Sequence, residues 1–102
     1  MNKFDKYTFV ETDASKSTTF FQLEGDVSGF MNEFRISLDD FKVSDVVGEF
    51  VGLDFALEEE NGSFSLEYGP IYYIEEEDSY TTADWNPCDI DGLAEYIYSR
   101  FK

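Results

Sequence analysis

Two runs of carboxylates are the residues of this chain whose types and spacing suggest a chemical role. Glu58-Glu59-Glu60 comes directly before Asn61-Gly62, and Glu75-Glu76-Glu77-Asp78 follows a short apolar segment. Both runs lie within residues 43–99, which contain fifteen acids and no Lys or Arg. A field of this sign repels nucleic acid and anionic membranes, and it attracts basic protein surfaces.

The turn residues between the two runs predict that both reach the same end of one sheet. Asn61-Gly62 is a strong hairpin signal, because a type I′ turn needs positive φ at both central positions. Gly69-Pro70 is the next turn signal, so the chain is expected to run down residues 63–68 and back along 71–76. Two tight turns would then gather seven carboxylates at one end of the sheet.

The residue types give little support to catalytic or metal chemistry. There is no His in the chain, which removes the commonest general base. Cys88 has no His or Lys beside it in the sequence to activate its thiol. The segment 84–92 has some of the acids of a calcium loop, but Asp89 stands where that loop needs Gly, and Pro87 lies inside it. We therefore predict that the protein is not an enzyme, with no catalytic residue, no metal site and no cofactor.

Composition predicts one folded domain over residues 1–102. The chain is 42% hydrophobic and 19% aromatic, which suffices for a core despite a net charge of −16. A single cysteine excludes an internal disulfide and fits a reducing compartment. No apolar run follows Lys3 and Lys6, and no apolar stretch is long enough to span a bilayer. The expected location is therefore the cytoplasm, that of the host cell if a phage encodes the protein.

Alternating apolar and polar residues predict an α+β fold. It consists of an antiparallel β-sheet of about five to six strands, in a meander or hairpins, with one C-terminal α-helix packed on it. A turn at 61–62 fixes one register, in which apolar side chains meet on one face: Leu57 with Leu66, and Phe55 with Tyr68. The predicted strands cover residues 6–12, 18–24, 30–38, 51–58, 63–68 and 71–76, with shorter segments at 46–47, 50–51 and 80–82. Residues 39–45 fit either a loop or one helical turn.

The C-terminal helix is predicted to begin at Asn86-Pro87. Asn is a good N-cap, and Pro is favoured at the first helical position. The helix would then run for about four turns to the end of the chain, with Gly92 inside it. Gly29 is expected to mark a β-bulge.

The acid runs are predicted to form a partner-binding surface. Alternate residues on a strand lie about 6.6 Å apart, which is similar to the spacing of successive phosphates on one nucleic-acid strand. At the level of protein class, the size, the charge and the acid rows on a hairpin resemble acidic proteins that mimic nucleic acid. Phages and mobile elements encode such proteins against restriction or CRISPR effectors. The candidate residues are Glu58, Glu59, Glu60, Glu75, Glu76, Glu77 and Asp78, with Asp54, Glu67 and Asp84 as flanks and Tyr72, Tyr80 and Trp85 as aromatic anchors.

Three hypotheses about function follow. The first is a non-enzymatic inhibitor of the anti-CRISPR or anti-restriction kind, which binds the basic groove of a nuclease or effector complex. It would contact neither nucleic acid nor membrane. The second is an immunity protein that neutralises a basic nuclease toxin, and the third is a small acidic adaptor or subunit. Adaptation to high salt would also explain many acids, but the abundance of Phe and Tyr and the four Ala argue against it. The sequence leaves open the partner's identity and the choice between monomer and homodimer.

Overall fold

A six-stranded antiparallel sheet forms the core of the computed structural model, which describes residues 3–15, 17–38, 41, 48–82 and 85–101. Five strands follow one another in chain order, β1-β2-β3-β4-β5, and β6 also pairs with β4. With two helices in the described residues, the predicted α+β class is confirmed. The elements are β1 Thr8–Ala14, β2 Thr18–Glu24, α1 Val27–Glu33, β3 Glu49–Glu60, β4 Ser63–Ile74, β5 Ser79–Thr82, β6 Asn86–Pro87 and α2 Leu93–Phe101.

The long hairpin of β3 and β4 lies at the centre of the sheet. Its turn has the positive φ values that a type I′ turn requires, 52° at Asn61 and 83° at Gly62. Buried apolar side chains meet across the two strands on one face. The predicted register is therefore confirmed, with Leu57 opposite Leu66 and Phe55 opposite Tyr68.

The predicted turn at Gly69-Pro70 is wrong. β4 continues through both residues without interruption from Ser63 to Ile74. On the side away from β3, β5 pairs with residues 71–74 of β4 and β6 pairs with residues 67–68. Residues 69–70 thus have a described neighbour on one side only, which is where a strand tolerates a proline without an amide donor. The chain next turns at residues 75–78.

The predicted strand over residues 30–38 is also wrong, because helix α1 occupies its first part. Asp26 caps this helix, with its carboxylate accepting a hydrogen bond from the Gly29 amide at 3.1 Å. Gly29 is therefore helical and marks no bulge. The apolar residues at spacings of three and four are the pattern of an amphipathic helix: Val27, Phe30, Met31 and Phe34.

The C-terminal helix is confirmed, but it starts later than predicted. Asn86 and Pro87 form β6 and pair with Tyr68 and Glu67 of β4. The helix begins at Leu93, directly after Gly92, whose φ is 82°. Gly92 therefore permits the turn that precedes the helix and does not weaken its interior.

The two faces of the sheet have different surroundings. The inner face carries most of the buried apolar residues of the strands, and both helices pack on it: the Phe30 ring of α1 lies 6.0 Å from Phe55, and the Tyr98 ring of α2 lies 4.6 Å from Phe64. The outer face carries the alternate positions of the strands, on the side opposite these ring contacts with the helices. Residues 39–40 and 42–47, which include most of the predicted loop or helical turn and the short strand at 46–47, lie outside the described residues.

Candidate protein-binding face

The first acidic run is divided between the two faces of the hairpin. Glu58 pairs with Ser65 and Glu60 with Ser63, and these four exposed residues belong to the outer face. Glu59 lies between them in the sequence, so its side chain belongs to the inner face, where it is half-buried. The run therefore contributes two carboxylates to the outer face, spaced about 6.6 Å apart along β3.

The second acidic run lies at the opposite end of β4. Residues 75–78 form the turn between β4 and β5, whereas Glu60 adjoins the turn between β3 and β4. Eleven residue steps along β4 separate the two turns by roughly 36 Å, and the molecule is 41 Å in its longest dimension. The prediction that seven carboxylates gather at one end is wrong, because it depended on a turn at Gly69-Pro70.

The outer face nevertheless joins the two runs through further carboxylates. Glu67 of β4 lies opposite Ala56, and so it fills the uncharged position between Asp54 and Glu58 on β3. At the far end, Glu49 lines one shallow groove together with Glu75 and Glu76. We call the resulting line of side chains the acidic band, and it consists of Glu49, Asp54, Glu58, Glu60, Glu67, Glu75, Glu76, Glu77 and Asp78.

The described strands of the sheet carry no positive charge. None of the six described strands contains a Lys or Arg. The described bases lie instead beside the helices: Lys3 over the ring of Phe34 at 5.8 Å, Lys6 in an ion pair with Glu33, Arg35 directly after the C-cap of α1, and Arg100 on α2. In the described part of the molecule, the sheet is thus the purely acidic layer.

Asp54 is held within the fold more firmly than the other members of the band. It is half-buried, and its carboxylate accepts hydrogen bonds from the Thr82 hydroxyl and from the Phe55 amide, both at 3.1 Å. The bond to Thr82 links β3 to β5 across β4, passing Gly69, which pairs with Asp54. Burial raises the pKa of this carboxyl above its ordinary value, against the two hydrogen bonds. Asp54 therefore fastens the edge strand, while Asp84, the other predicted flank from this part of the sequence, lies outside the described residues.

The predicted aromatic anchors have three different environments. Tyr72 is only 8% exposed on the inner face, which removes it as an anchor. Trp85 is half-buried, with its ring 6.1 Å from that of Phe20 on the outer face. Tyr80 is 69% exposed on β5, and its ring lies 5.1 Å from that of Tyr73 at an angle of 52°. Tyr80 is therefore the predicted anchor that the fold leaves most accessible.

The turn acids are partly ordered by the neighbouring strand. The Tyr73 hydroxyl donates a 2.6 Å hydrogen bond to Asp78, and this bond raises the pKa of Tyr73. Asp78 has a φ of 47°, so the turn bends sharply at this residue. The remaining turn carboxylates, those of Glu75, Glu76 and Glu77, are exposed.

A shallow pocket on the outer face, with both polar and apolar lining residues, was not predicted from the sequence. It has a volume of about 740 Å³ and lies where a β-bulge inserts Val51 between the paired residues Phe50 and Gly52. It is lined by residues of β2, β3, β4 and β5 and by the first residue of α1, among them Gln22, Glu24, Val27, Val51, Gly52, Ile71 and Tyr80. We call it the bulge pocket. In the sequence, the Val51-Gly52 pair is the signal that could have predicted this bulge, because glycine inside a strand often marks one.

The described residues offer little to a chemical reaction. Burial raises the pKa of the Cys88 thiol to about 11, which keeps it protonated and unreactive at neutral pH. No three of the described His, Cys, Asp and Glu side chains are placed to hold a metal ion. Within the same residues, no helix has the length and apolar character needed to cross a membrane.

Comparison with known proteins gives no indication of function, so a functional proposal depends on the structure of the outer face. No protein-family model, curated protein or solved structure matches the chain significantly.

Proposed function

We propose that this protein is a non-enzymatic inhibitor whose outer sheet face occupies the basic groove of a nucleic-acid-binding protein. The observation that carries the proposal is the segregation of charge: six strands without a Lys or Arg present the acidic band on the face opposite the ring contacts of the two helices. A Lys/Arg-lined groove is the protein surface most complementary to such a face. Its natural ligand is a nucleic acid, with which the band would compete.

The dimensions of the acidic band support this partner. From Glu49 to Glu60, β3 spans roughly 36 Å, which is close to the length of one turn of B-DNA, about 34–36 Å. Exposed Glu58 and Glu60 repeat at about the interval of phosphates along one strand, near 6.6 Å. A rigid sheet also holds these charges in place before binding, so little conformational entropy is lost on association. The protein would act in the cytoplasm, where restriction and CRISPR effectors work.

Affinity capture with charge-matched variants tests the proposal. The outer-face variant E58Q/E60Q/E67Q and the helix-layer variant D89N/D91N/E95Q each remove three charges, so any difference between them reports position and not net charge. Tagged wild type and both variants are incubated with nuclease-treated lysate of the source organism or its host. The captured protein is identified, purified and assayed for DNA or RNA binding with increasing amounts of each variant.

We expect wild type and the helix-layer variant to capture the same basic protein and to block its nucleic-acid binding at a stoichiometric ratio. The outer-face variant should bind it at least about tenfold more weakly, since coupling energies of close charge pairs are 1.5 kcal/mol or more each. Affinity should fall steeply as NaCl rises. Equal capture by the two variants, or a partner that still binds nucleic acid at saturation, would contradict the proposal.

The turn acids give a second test within the same assay. Because residues 75–78 adjoin Glu49 at the far end of the band, E75K/E76K/E77K should weaken capture independently of the outer-face variant. The turn is exposed, so this variant should unfold at the same urea concentration as wild type or higher. If the captured partner is a nuclease toxin encoded beside this gene, the inhibitor is an immunity protein that uses the same face.

A further inference from the structure

The bulge pocket lies on the same outer face as the acidic band, and its lining combines the polar side chains of Gln22 and Glu24 with apolar groups. Gly52 pairs with Ile71, and it contributes no side chain to the outer face at this point. A Cβ added at Gly52 would come no closer than 3.8 Å to Ile71 and 3.9 Å to the Leu23 carbonyl oxygen, which is ordinary contact. The space above Gly52 is therefore open to a group from outside.

The walls of the pocket are the most exposed large apolar side chains of the described chain. Val51 is 44% exposed because the bulge places it outside the regular pairing, and Tyr80 is 69% exposed on the edge strand. Both line the bulge pocket. Exposed apolar groups that converge on one cavity of about 740 Å³ are typical of a binding site, since ligand pockets measure about 300–1,000 Å³.

The charge around the pocket selects its occupant. Glu24 is one of the residues that line the pocket, and none of them is basic. A nucleic acid, an anionic lipid or a second copy of this acidic chain would bring negative charge to this face, so each is disfavoured. An apolar side chain can contact Val51, Ile71 and Tyr80, and a flanking Lys or Arg can pair with Glu24.

We propose that the bulge pocket receives an apolar side chain, such as Leu, from a Lys/Arg-rich segment of the partner protein. This inference rests on the proposed function, because it assigns the partner a basic segment that docks on the outer face. The acidic band then supplies the long-range attraction, and the pocket supplies a short-range contact that salt does not screen. Tyr80 is the aromatic anchor of this contact.

Three synthetic peptides test the inference on the isolated protein. The first has one central Leu flanked by Lys and Arg, the second replaces that Leu with Ser, and the third keeps the Leu but has Glu flanks. Binding is followed by fluorescence anisotropy at about 50 and 300 mM NaCl, conditions that differ strongly in screening length. Amide shifts in ¹H–¹⁵N spectra locate the contact.

We expect the basic Leu peptide to bind about tenfold or more tightly than the basic Ser peptide, as burial of a leucine side chain predicts. This ratio should persist at the higher salt concentration, while both affinities fall. Val51, Gly52 and Tyr80 amides should shift with the Leu peptide. The peptide with Glu flanks should not bind detectably.

Variants of the pocket provide the controls. Gly52→Leu fills the pocket and should bring the Leu/Ser affinity ratio close to one, and Tyr80→Ala should lower it. Ser65→Leu adds the same side chain at an exposed position of the outer face and should leave the ratio unchanged. Dispersed amide spectra establish that each variant is folded. If Gly52→Leu does not fold, Tyr80→Ala still tests the pocket.

The outcomes separate this inference from the proposed function. Equal binding of the two basic peptides, or amide shifts only near Glu58 and Glu60, would overturn the pocket inference and leave the inhibitor proposal intact. Binding of the Leu peptide with Glu flanks would overturn the basic character of the segment. Absence of binding by either basic peptide at low salt would count against the acidic face as a docking surface and against the pocket with it.

Discussion

The half-buried carboxyl of Asp54 predicts a specific dependence of stability on pH. Its pKa is raised in the folded protein by burial, so the native state holds this proton more tightly than the unfolded chain. The resulting stabilisation is complete below the unfolded pKa and is lost as pH rises through the folded value. Asp54→Asn removes this titration. Wild type should therefore gain stability relative to Asp54→Asn between pH 7 and pH 4, approximately the acidic range in which carboxyl groups titrate.

Urea unfolding at several pH values measures this difference. For each protein, the free energy of unfolding is plotted against pH. Subtracting one curve from the other removes the contribution of the other carboxylates, which titrate in both proteins. The Asn side chain keeps one oxygen as acceptor, and its amide can donate to the Thr82 hydroxyl oxygen, so any change in the bonds to Thr82 and Phe55 is independent of pH. A difference between the proteins that stays constant from pH 7 to pH 4 would show that Asp54 has an ordinary pKa.

Cys88 should react slowly as long as the protein is folded. With a pKa of about 11, its thiolate fraction near pH 8 is on the order of a hundredfold below that of a free cysteine of pKa 8.5. Modification by a disulfide reagent, followed by absorbance, should accelerate by at least that factor in urea. A Cys88→Ser variant supplies the blank. Similar rates in the native and unfolded protein would mean that the thiol is accessible and activated.

The turn at Asn61-Gly62 is the element whose sequence signal was most specific. Gly62 has a φ of 83°, and a Cβ there would meet nothing within 4 Å. Gly62→Ala should therefore destabilise the protein through backbone strain alone, by about 1–2 kcal/mol. The shift of the urea midpoint measures this, with Ser63→Ala at the exposed neighbouring position as control. A loss no larger than that of Ser63→Ala would show that the hairpin does not depend on this turn.

Local sequence predicted this hairpin to the residue but failed at Gly69-Pro70, and the reason is tertiary. Alternation of apolar residues and a two-residue turn determine a register between adjacent strands. Whether Gly-Pro ends a strand depends instead on which neighbours lie beside it. Here the described residues of β5 and β6 pair with β4 on either side of residues 69–70, so the strand runs through both. No local pattern contains that information, and the predicted positions of both acidic runs depended on it.

The error over residues 30–38 came from a different competition. Phe34, Ile36 and Leu38 alternate as in a strand, whereas Val27, Phe30 and Phe34 have helical spacing. The helix is favoured because Asp26 caps it and because the buried Phe30 ring contacts Phe9 and Phe55. Packing against a sheet that forms from distant segments thus overrides the alternation. The bulge at Val51 was missed for the same reason, since pairing with β4 defines it.

At the scale of the molecule, the segregation of charge should make stability depend on salt. The net charge is −16, and the carboxylates of the acidic band share a face without a described base, so they repel one another in the folded state more than in the expanded chain. Screening lowers this cost. Between about 20 and 500 mM NaCl the melting temperature should rise by about 4 °C or more, which corresponds to roughly 1 kcal/mol for a domain of this size.

The same two three-charge variants locate the repulsion. E58Q/E60Q/E67Q removes charge from the band, so it should melt higher than wild type at low salt and gain less from added NaCl. D89N/D91N/E95Q has the same net charge but keeps the band, and its response to salt should remain close to that of wild type. NaCl and KCl at equal ionic strength should act alike, because screening depends on ionic strength and not on the cation. If both variants lose the salt response equally, the repulsion belongs to the net charge of the whole molecule, and the outer face has no concentrated field with which to attract a basic groove.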